Sequence, residues 1–313
     1  MPYFLAVDVG GTKTDYLLAD SNKPLATSRS GSLKRLRVSE ETATQNLLEG
    51  LRSLEEQSGI NLREVAATCV GSSGSSVPLV YDWLMKAFPQ HVGGQLLVVE
   101  DVSIALDAAF FGGPGVLVLA GTGSNVAGRD SSGNISTAGG WGPVLADWGS
   151  GHRLGQTALE ECFRDLDEGY VSLMLNEIQS FWGLSRLEEL VEFANAQPGP
   201  DLSQLSTIVA RCHHAGDRTA QRVIEKEASA LAQTANIVLG RLSKAMRHET
   251  WVPQIAFAGS VMGQFQAMQD AVMQYIHQIH PEAIAIPEAV SPAEGALWRA
   301  RKLHADAAAA TAI

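Results

Sequence analysis

Apolar and polar positions near the amino terminus follow a strand pattern that breaks and resumes. Leu5-Ala6-Val7 leads through Asp8 and Val9 into Gly10-Gly11, and after Thr12-Lys13-Thr14 a second apolar run, Tyr16-Leu17-Leu18-Ala19, follows. The pattern predicts a β-hairpin with a glycine turn. A third strand is expected over Pro24 to Ser30, a loop over Gly31 to Ser39, and an amphipathic helix over Glu40 to Gly59 through Leu47, Leu48, Leu51 and Leu54. Val65 to Val70 reads as a buried strand that ends in the hydroxyl-rich loop Gly71 to Ser76. Tyr81 to Phe88 reads as a short helix, and Leu96 to Val99 as a strand that delivers Glu100-Asp101 before a helix from Ser103 to Phe110.

The same order then recurs. Gly115 to Ala120 is an apolar strand, Gly121-Thr122-Gly123-Ser124 its glycine turn, and Asn125 to Arg129 a returning strand before the polar turn Asp130 to Asn134. Chance rarely reproduces a whole supersecondary unit, so the chain reads as two related halves. Mostly helix is expected over 152–195 and 203–248, separated by the loop Gln197 to Asp201. A third glycine turn, Ala258-Gly259-Ser260, follows the strand from Ile255 and opens a helix to about His280. Ile284 to Ile286 is a last strand, and a helix from Ala293 to Leu303 runs into an alanine-rich tail expected to fray. The expected domains are 1–113 and 114–292, with the segment 293–313 packing back on the first.

Composition narrows the class. At 313 residues the chain suits two α/β domains. A net charge of −11 repels nucleic acid and anionic membrane, so an anionic ligand must be gathered by local donors. Cys69, Cys162 and Cys212 are odd in number and far apart, which predicts reduced, buried thiols. No apolar run is long enough to span a bilayer and the first residues lack a signal-peptide core, so the expected location is the cytoplasm.

The glycine turns carry the candidate chemistry. Glycines let a backbone approach an anion, and amides there, with the hydroxyls of Thr12 and Thr14, can donate to phosphate. A hairpin whose glycines serve only its turn is the alternative. Asp8 is a poor guest in a buried strand unless it faces a cation, for which Mg²⁺ held through water is suited. Ligands of α/β sheets collect at the carboxyl ends of strands, where Asp101 lies; taken alone, Asp101 reads more readily as a helix cap. Glu100, adjacent to it, is expected to point the other way. His213-His214 lacks a third ligand and is set aside as a metal site.

Together these motifs resemble the acetate and sugar kinase, heat-shock chaperone and actin superfamily, and within it the branch of N-acetylglucosamine kinases and BadF/BadG/BcrA/BcrD-type ATPases. Asp8 to Thr14, Gly121 to Asn125, Ala258 to Val261, and Gly139-Gly140-Trp141-Gly142 with Asp147 carry the likeness, over nearly the whole chain. The resemblance implies an α/β fold of two duplicated actin-like (ribonuclease H-like) domains with a ligand cleft between them, ATP and Mg²⁺ as cofactors, and a kinase acting on the 6-hydroxyl of N-acetylglucosamine or a related amino sugar. It implies that Gly10, Gly11, Thr12, Lys13, Thr14, Gly121, Thr122, Gly123 and Ser124 serve the phosphates, and that Gly259 and Ser260 serve the nucleoside. Asp101 would be the general base. Gly140, Trp141 and Asp147 would meet the sugar, with Ser72 and Lys34 as further substrate-binding candidates and Asp8 on the metal side.

Two departures bear on specificity. The family's sugar-binding Asn has no counterpart in Gly31 to Arg37, a loop read either as a solvated basic segment or as one whose Lys34 or Arg35 receives an acidic acceptor such as N-acetylmuramate. Cys212 and His213 stand where small residues are usual near the adenine. Glucosamine is a further acceptor to consider, and an activator or regulatory ATPase is the alternative activity, although an iron–sulfur activator needs a cysteine pair that this spacing does not supply. The expected partners are a small-molecule sugar and a second copy of the chain in a homodimer, with no nucleic acid and no membrane.

Overall fold

The computed structural model describes residues 1–311. The chain divides into two compact units, Met1–Gly113 together with the stretch from Val290 onward, and Pro114–Ala289.

In the first unit, β1 (Tyr3–Val9), β2 (Lys13–Ala19) and β3 (Pro24–Gly31) form an antiparallel meander. After α1 (Glu40–Ser58), the strands β4 (Val65–Ser72) and β5 (Gln95–Val99), separated by α2 (Pro78–Ala87), add in parallel beside β1, giving the order β3-β2-β1-β4-β5. Alternation along β1 sorts the two faces. Leu5, Val7 and Val9 pack with Tyr16 and Leu18 against Leu47, Leu51 and Leu54 of α1. Phe4 and Ala6 face the other way, onto Ile104 of α3 (Asp101–Phe110). α1 starts where the sequence sets it, at Ser39, whose Oγ accepts the Thr42 amide, and stops at Gly59, whose φ of 70° turns the chain left-handed.

The second unit repeats the plan. β6 (Gly115–Ala120), β7 (Ser124–Arg129) and β8 (Ile135–Gly139) are the meander, and β9 (Gln254–Ala258) and β10 (Ile284–Ala285) add in parallel. Read as β8-β7-β6-β9-β10, the sheet matches the first strand for strand. What recurs is therefore the entire sheet, of which the glycine turns are the visible part in sequence.

Helical boundaries depart from expectation in places. The mostly helical stretch 152–195 holds α4 (Gly151–Asp167), α5 (Leu173–Trp182) and α6 (Leu187–Ala194). Gly169 and Gly183, both at positive φ, end the first two. The stretch 203–248 holds α7 (Ser206–His214) and α8 (Arg218–Ala245), divided by Gly216 and the capping Asp217. The helix after Gly259 breaks at Phe265 into α9 (Ser260–Gln264) and α10 (Gln266–His277). Val116, Val118, Val126 and Phe257 of the sheet share one core with Leu154 and Ala158 of α4 and Leu231, Ala235 and Val238 of α8.

The chain then returns to the first unit. α11 (Pro292–Thr311) packs on α3, β1 and β4, with Ala296, Leu297 and Ala300 buried. The fraying expected after Leu303 does not occur through Thr311; Ala312 and Ile313 lie outside the described residues. Among the described residues, no helix is long and apolar enough to cross a membrane.

Candidate active site

The carboxyl end of the first sheet gathers two acids. Asp8 stands in register with Gly71, which stands in register with Val99, so Asp101 begins α3 two residues beyond the same row. By alternation Asp8 continues the face of Phe4 and Ala6, the face that α3 covers. Asp101 is the first helical residue rather than the cap; Glu100 holds the cap position, and Asp101 Oδ1 accepts the Val102 amide at 2.9 Å. Burial raises the Asp101 carboxyl above its usual range, against the lowering effect of the Val102 amide, with Glu100 raising it and Lys34 lowering it in turn. Asp8 is pushed up to about 7, by burial first, then by the charges of Asp101 and Asp15.

That pair is a place that favours a cation, because each charge otherwise opposes the other away from full solvent. Asp8 suits Mg²⁺, which binds through few carboxylates and keeps much of its water. Among the described residues no group of three or more acidic, histidine or cysteine side chains that could hold a metal ion is present.

Glu100, which sequence reasoning set aside, is the clip of the neighbouring loop. Its carboxylate accepts the amides of Ser76 at 2.9 Å and Gly74 at 3.3 Å, which fixes Ser72 to Ser76. Ser72 itself is a correction: it extends β4 and is fully buried, on the same alternation as Val70. Ser72 Oγ donates to the Ser73 carbonyl at 3.5 Å, while the Ser73 hydroxyl accepts from Lys34 Nζ at 2.8 Å.

The loop from Gly31 to Arg37 is not a loosely solvated segment. Leu33 is buried in the core, Ser32 Oγ donates to the Gly10 carbonyl at 2.7 Å, and the Leu33 amide donates to Thr14 Oγ1 at 3.3 Å. Lys34 is half-buried, so desolvation lowers its pKa, as does the charge of Arg37, while Asp101 and Glu100 raise it. Arg35 is engaged at home, donating to the Val38 carbonyl at 2.7 Å and approaching Glu40 at 3.5 Å.

In the first glycine turn, the Gly10 amide donates to the Lys13 carbonyl at 2.9 Å, and a Cβ on Gly10 would meet that same oxygen at 2.9 Å. Glycine is required there by close approach. Thr12 is exposed, and the amides of Gly11 and Thr12 take no acceptor among the described residues. Thr14 is not displayed: at 0% exposure its hydroxyl joins the hairpin to the loop. Lys13 leans along the strand to Asp15 at 3.5 Å.

In the second unit, the Gly121 amide closes its turn on Gly123 at 2.8 Å, and Thr122 is exposed. The start of α4 is bonded to this turn, Gly151 donating to the Gly121 carbonyl at 2.7 Å. Ser124 is buried, donating to the Trp148 carbonyl at 2.7 Å. Asp147 folds the apolar loop back on itself by accepting the Gly142 amide at 2.9 Å, and its Oδ2 lies against Gly123. Gly140 turns at a φ of 72°, and Trp141, 74% exposed, is displayed rather than packed in a core.

A cavity of about 340 Å³ adjoins this turn, a volume suited to a small-molecule ligand. Gly121, Thr122 and Ser260 line one side, and Ser206, Thr207 and Ala210 of α7 with Phe265 the other. Cys212 points into the core, as expected of a buried thiol, while His213 stacks edge-on against Phe265 at 5.8 Å. The wall comes instead from one helical turn earlier, where Ser206 and Thr207 share a face with Ala210 by i, i+4 and i, i+3 spacing. Gly259 sits at the seam at a φ of 93°, and a Cβ there would strike the carbonyl of Ala120. Gly259→Ala is expected to cost about 1–3 kcal/mol of stability from backbone strain, with further loss from the clash. A denaturation midpoint unchanged from wild type would contradict this geometry.

A residue missed in sequence braces the whole turn. Glu227 of α8, 1% exposed, accepts the Gly149 amide at 2.9 Å and the Thr157 hydroxyl at 2.6 Å, and pairs with Arg153 at 3.4 Å. The Arg153 guanidinium lies 4.7 Å over the Trp148 ring. The signal was available: Glu227 falls on the buried stripe Val223, Ile224, Ala228 and Leu231. A broader depression along α1, about 990 Å³, is lined by the exposed face of that one helix and has no second wall to enclose a ligand.

The model of the BadF/BadG/BcrA/BcrD ATPase family matches residues 5–300. The chain belongs to that family. The N-acetylmuramic acid/N-acetylglucosamine kinase of Clostridium acetobutylicum is 26% identical over 317 residues, covering 96% of this chain and 99% of that protein. The N-acetyl-D-glucosamine kinase of Dictyostelium discoideum is 25% identical over 314 residues, covering 94% and 96%. The crystal structure of a provisionally named N-acetylglucosamine kinase from Chromobacterium violaceum superposes with a TM-score of 0.71 at 24% identity, covering 95% and 98%. The doubled mixed sheet of this ATPase-family chain is the actin-like fold.

Proposed function

We propose that this BadF-type chain is an ATP-dependent sugar kinase that phosphorylates the 6-hydroxyl of N-acetylglucosamine or a related amino sugar. The observation that carries the reading is the half-buried Asp101 just past the end of β5, beside Asp8 and faced by Lys34. A raised carboxylate is a better proton acceptor than an ordinary one, and phosphoryl transfer to a hydroxyl asks the protein chiefly for positioning, charge neutralisation and a base. Asp101 would take the proton as the sugar oxygen bonds to the γ-phosphorus and the bond to the ADP oxygen breaks. Asp8 would hold hydrated Mg²⁺, which supplies charge neutralisation of the phosphates. The cavity under Phe265 would take the nucleoside, with the amides of Thr122 and Gly123 donating to phosphate.

The names of the curated relatives support the acceptor class. Lys34, half-buried and joined to Ser73 beside Asp101, favours a second acceptor, N-acetylmuramate, whose carboxylate a lysine would receive. The activator reading is weakened by the cysteines. All three thiols are buried, and burial pushes those of Cys69 and Cys162 up to about 12, far from the thiolate a cluster requires.

The test is ADP release with MgATP against N-acetylglucosamine, glucosamine, N-acetylmuramate, glucose and no acceptor. Stimulation by an amino sugar is expected, and an equally slow rate in every arm would overturn the kinase reading.

A further inference from the structure

The first glycine turn must meet an anion in a chain of net charge −11, and the cations around it are not equivalent. Lys13 is paired with Asp15, which also takes Arg29 Nε at 2.5 Å. Lys34 is turned to Ser73 and the carboxylates. Arg35 holds its own loop. Arg37 differs from all three. Its guanidinium lies against the turn, with Nε 3.5 Å and Cζ 3.6 Å from where a Gly11 Cβ would stand, and among the described residues it has no carboxylate partner.

Its carrier is built onto the same turn. Ser32 Oγ bonds the Gly10 carbonyl, Leu33 is buried, Asn46 Nδ2 donates to the Ser32 carbonyl at 2.9 Å, and the Arg37 amide donates to the Lys34 carbonyl at 2.8 Å. A planar, always-charged fork on an anchored loop, exposed beside a turn whose Gly11 and Thr12 amides lack acceptors, is suited to a phosphoryl group.

We propose that Arg37 is a catalytic residue that contacts the transferred phosphoryl group at the Gly10–Thr12 turn, neutralising charge on its non-bridging oxygens. This rests on the kinase reading. As the acceptor oxygen bonds to phosphorus and the ADP oxygen leaves, the proton passes to Asp101, and Arg37 changes no bond; it stabilises charge.

The experiment compares wild type with Arg37→Met and Arg37→Lys in two readouts. The first is calorimetric binding of ADP with and without aluminium fluoride, a stand-in for the transferring phosphoryl group. Arg37→Met is expected to bind ADP normally and to lose about 10²-fold of the gain from aluminium fluoride, with Arg37→Lys between. The second is kcat with N-acetylglucosamine and with N-acetylmuramate, expected to fall about 10²-fold on whichever of the two is phosphorylated, with the acceptor KM little changed. Equal aluminium fluoride binding in wild type and Arg37→Met overturns the proposal. So does a loss confined to the KM of the acidic acceptor, which would make Arg37 a reader of that carboxylate. A wild type that no sugar stimulates would overturn the kinase reading, while the binding readout would still decide the role of Arg37.

Discussion

Asp101→Asn is expected to lower turnover by about 10²- to 10⁴-fold while ATP binding stays within a factor of a few. The amide keeps the size of the carboxyl and can still accept the Val102 amide that holds the side chain at 2.9 Å. What it lacks is the capacity to take a proton. It also removes a charge that Lys34 faces and that raises Asp8, so the Asp8 carboxyl should shift back toward its ordinary range. The measurement is kcat for ADP release with the best acceptor, beside calorimetric ATP binding. Turnover within threefold of wild type would remove Asp101 as the base; lost ATP binding would instead make it a nucleotide ligand.

Glu227→Ala is the largest expected loss of stability, about 3–5 kcal/mol, the usual consequence of removing one partner of a buried, hydrogen-bonded ion pair. The variant strands the Gly149 amide, the Thr157 hydroxyl and the mostly covered Arg153 at once. Gly149 lies between Asp147 and the first turn of α4, whose Gly151 amide is bonded to the second glycine turn. ATP affinity should therefore fall in the folded variant as well. Glu227→Gln keeps one carbonyl acceptor and should recover part of both losses. A denaturation midpoint matching wild type for the alanine variant would refute this account of the brace.

The meander, its glycine turn and the repetition of both were legible because strand period and glycine placement are local signals. The position of Asp101, just past the carboxyl end of an apolar strand, was legible too. The hydroxyls were misread for a related reason. Thr14 and Ser72 lie at strand ends beside glycine turns, which suggests display, yet alternation puts Thr14 with Tyr16 and Leu18, and Ser72 with Val70, on the buried face. Composition hid the loop from Gly31 to Arg37 in the opposite way: three basic residues looked solvated while one leucine, Leu33, anchored them. The cavity wall on α7 and the clip made by Glu100 depend on residues far apart in the chain, and no local pattern reports such pairings.

The discontinuous first unit has a consequence for the order in which the protein is made. Its sheet is complete by Val99, but α11, which shares with α3 the cover of the face of Phe4 and Ala6, is not synthesised until about two hundred residues later. Gly295 fits against the backbone of Ile104 so closely that any Cβ would strike it, so no other segment readily substitutes for α11. During translation, at about 5–20 residues per second, the emerging amino-terminal half spends on the order of ten seconds or more with that face covered by α3 alone. The second unit, continuous in sequence, can finish first. A ribosome-bound chain halted before Pro292 should thus be protease-resistant in its later half and cleavable in its earlier one, the reverse of the order of synthesis.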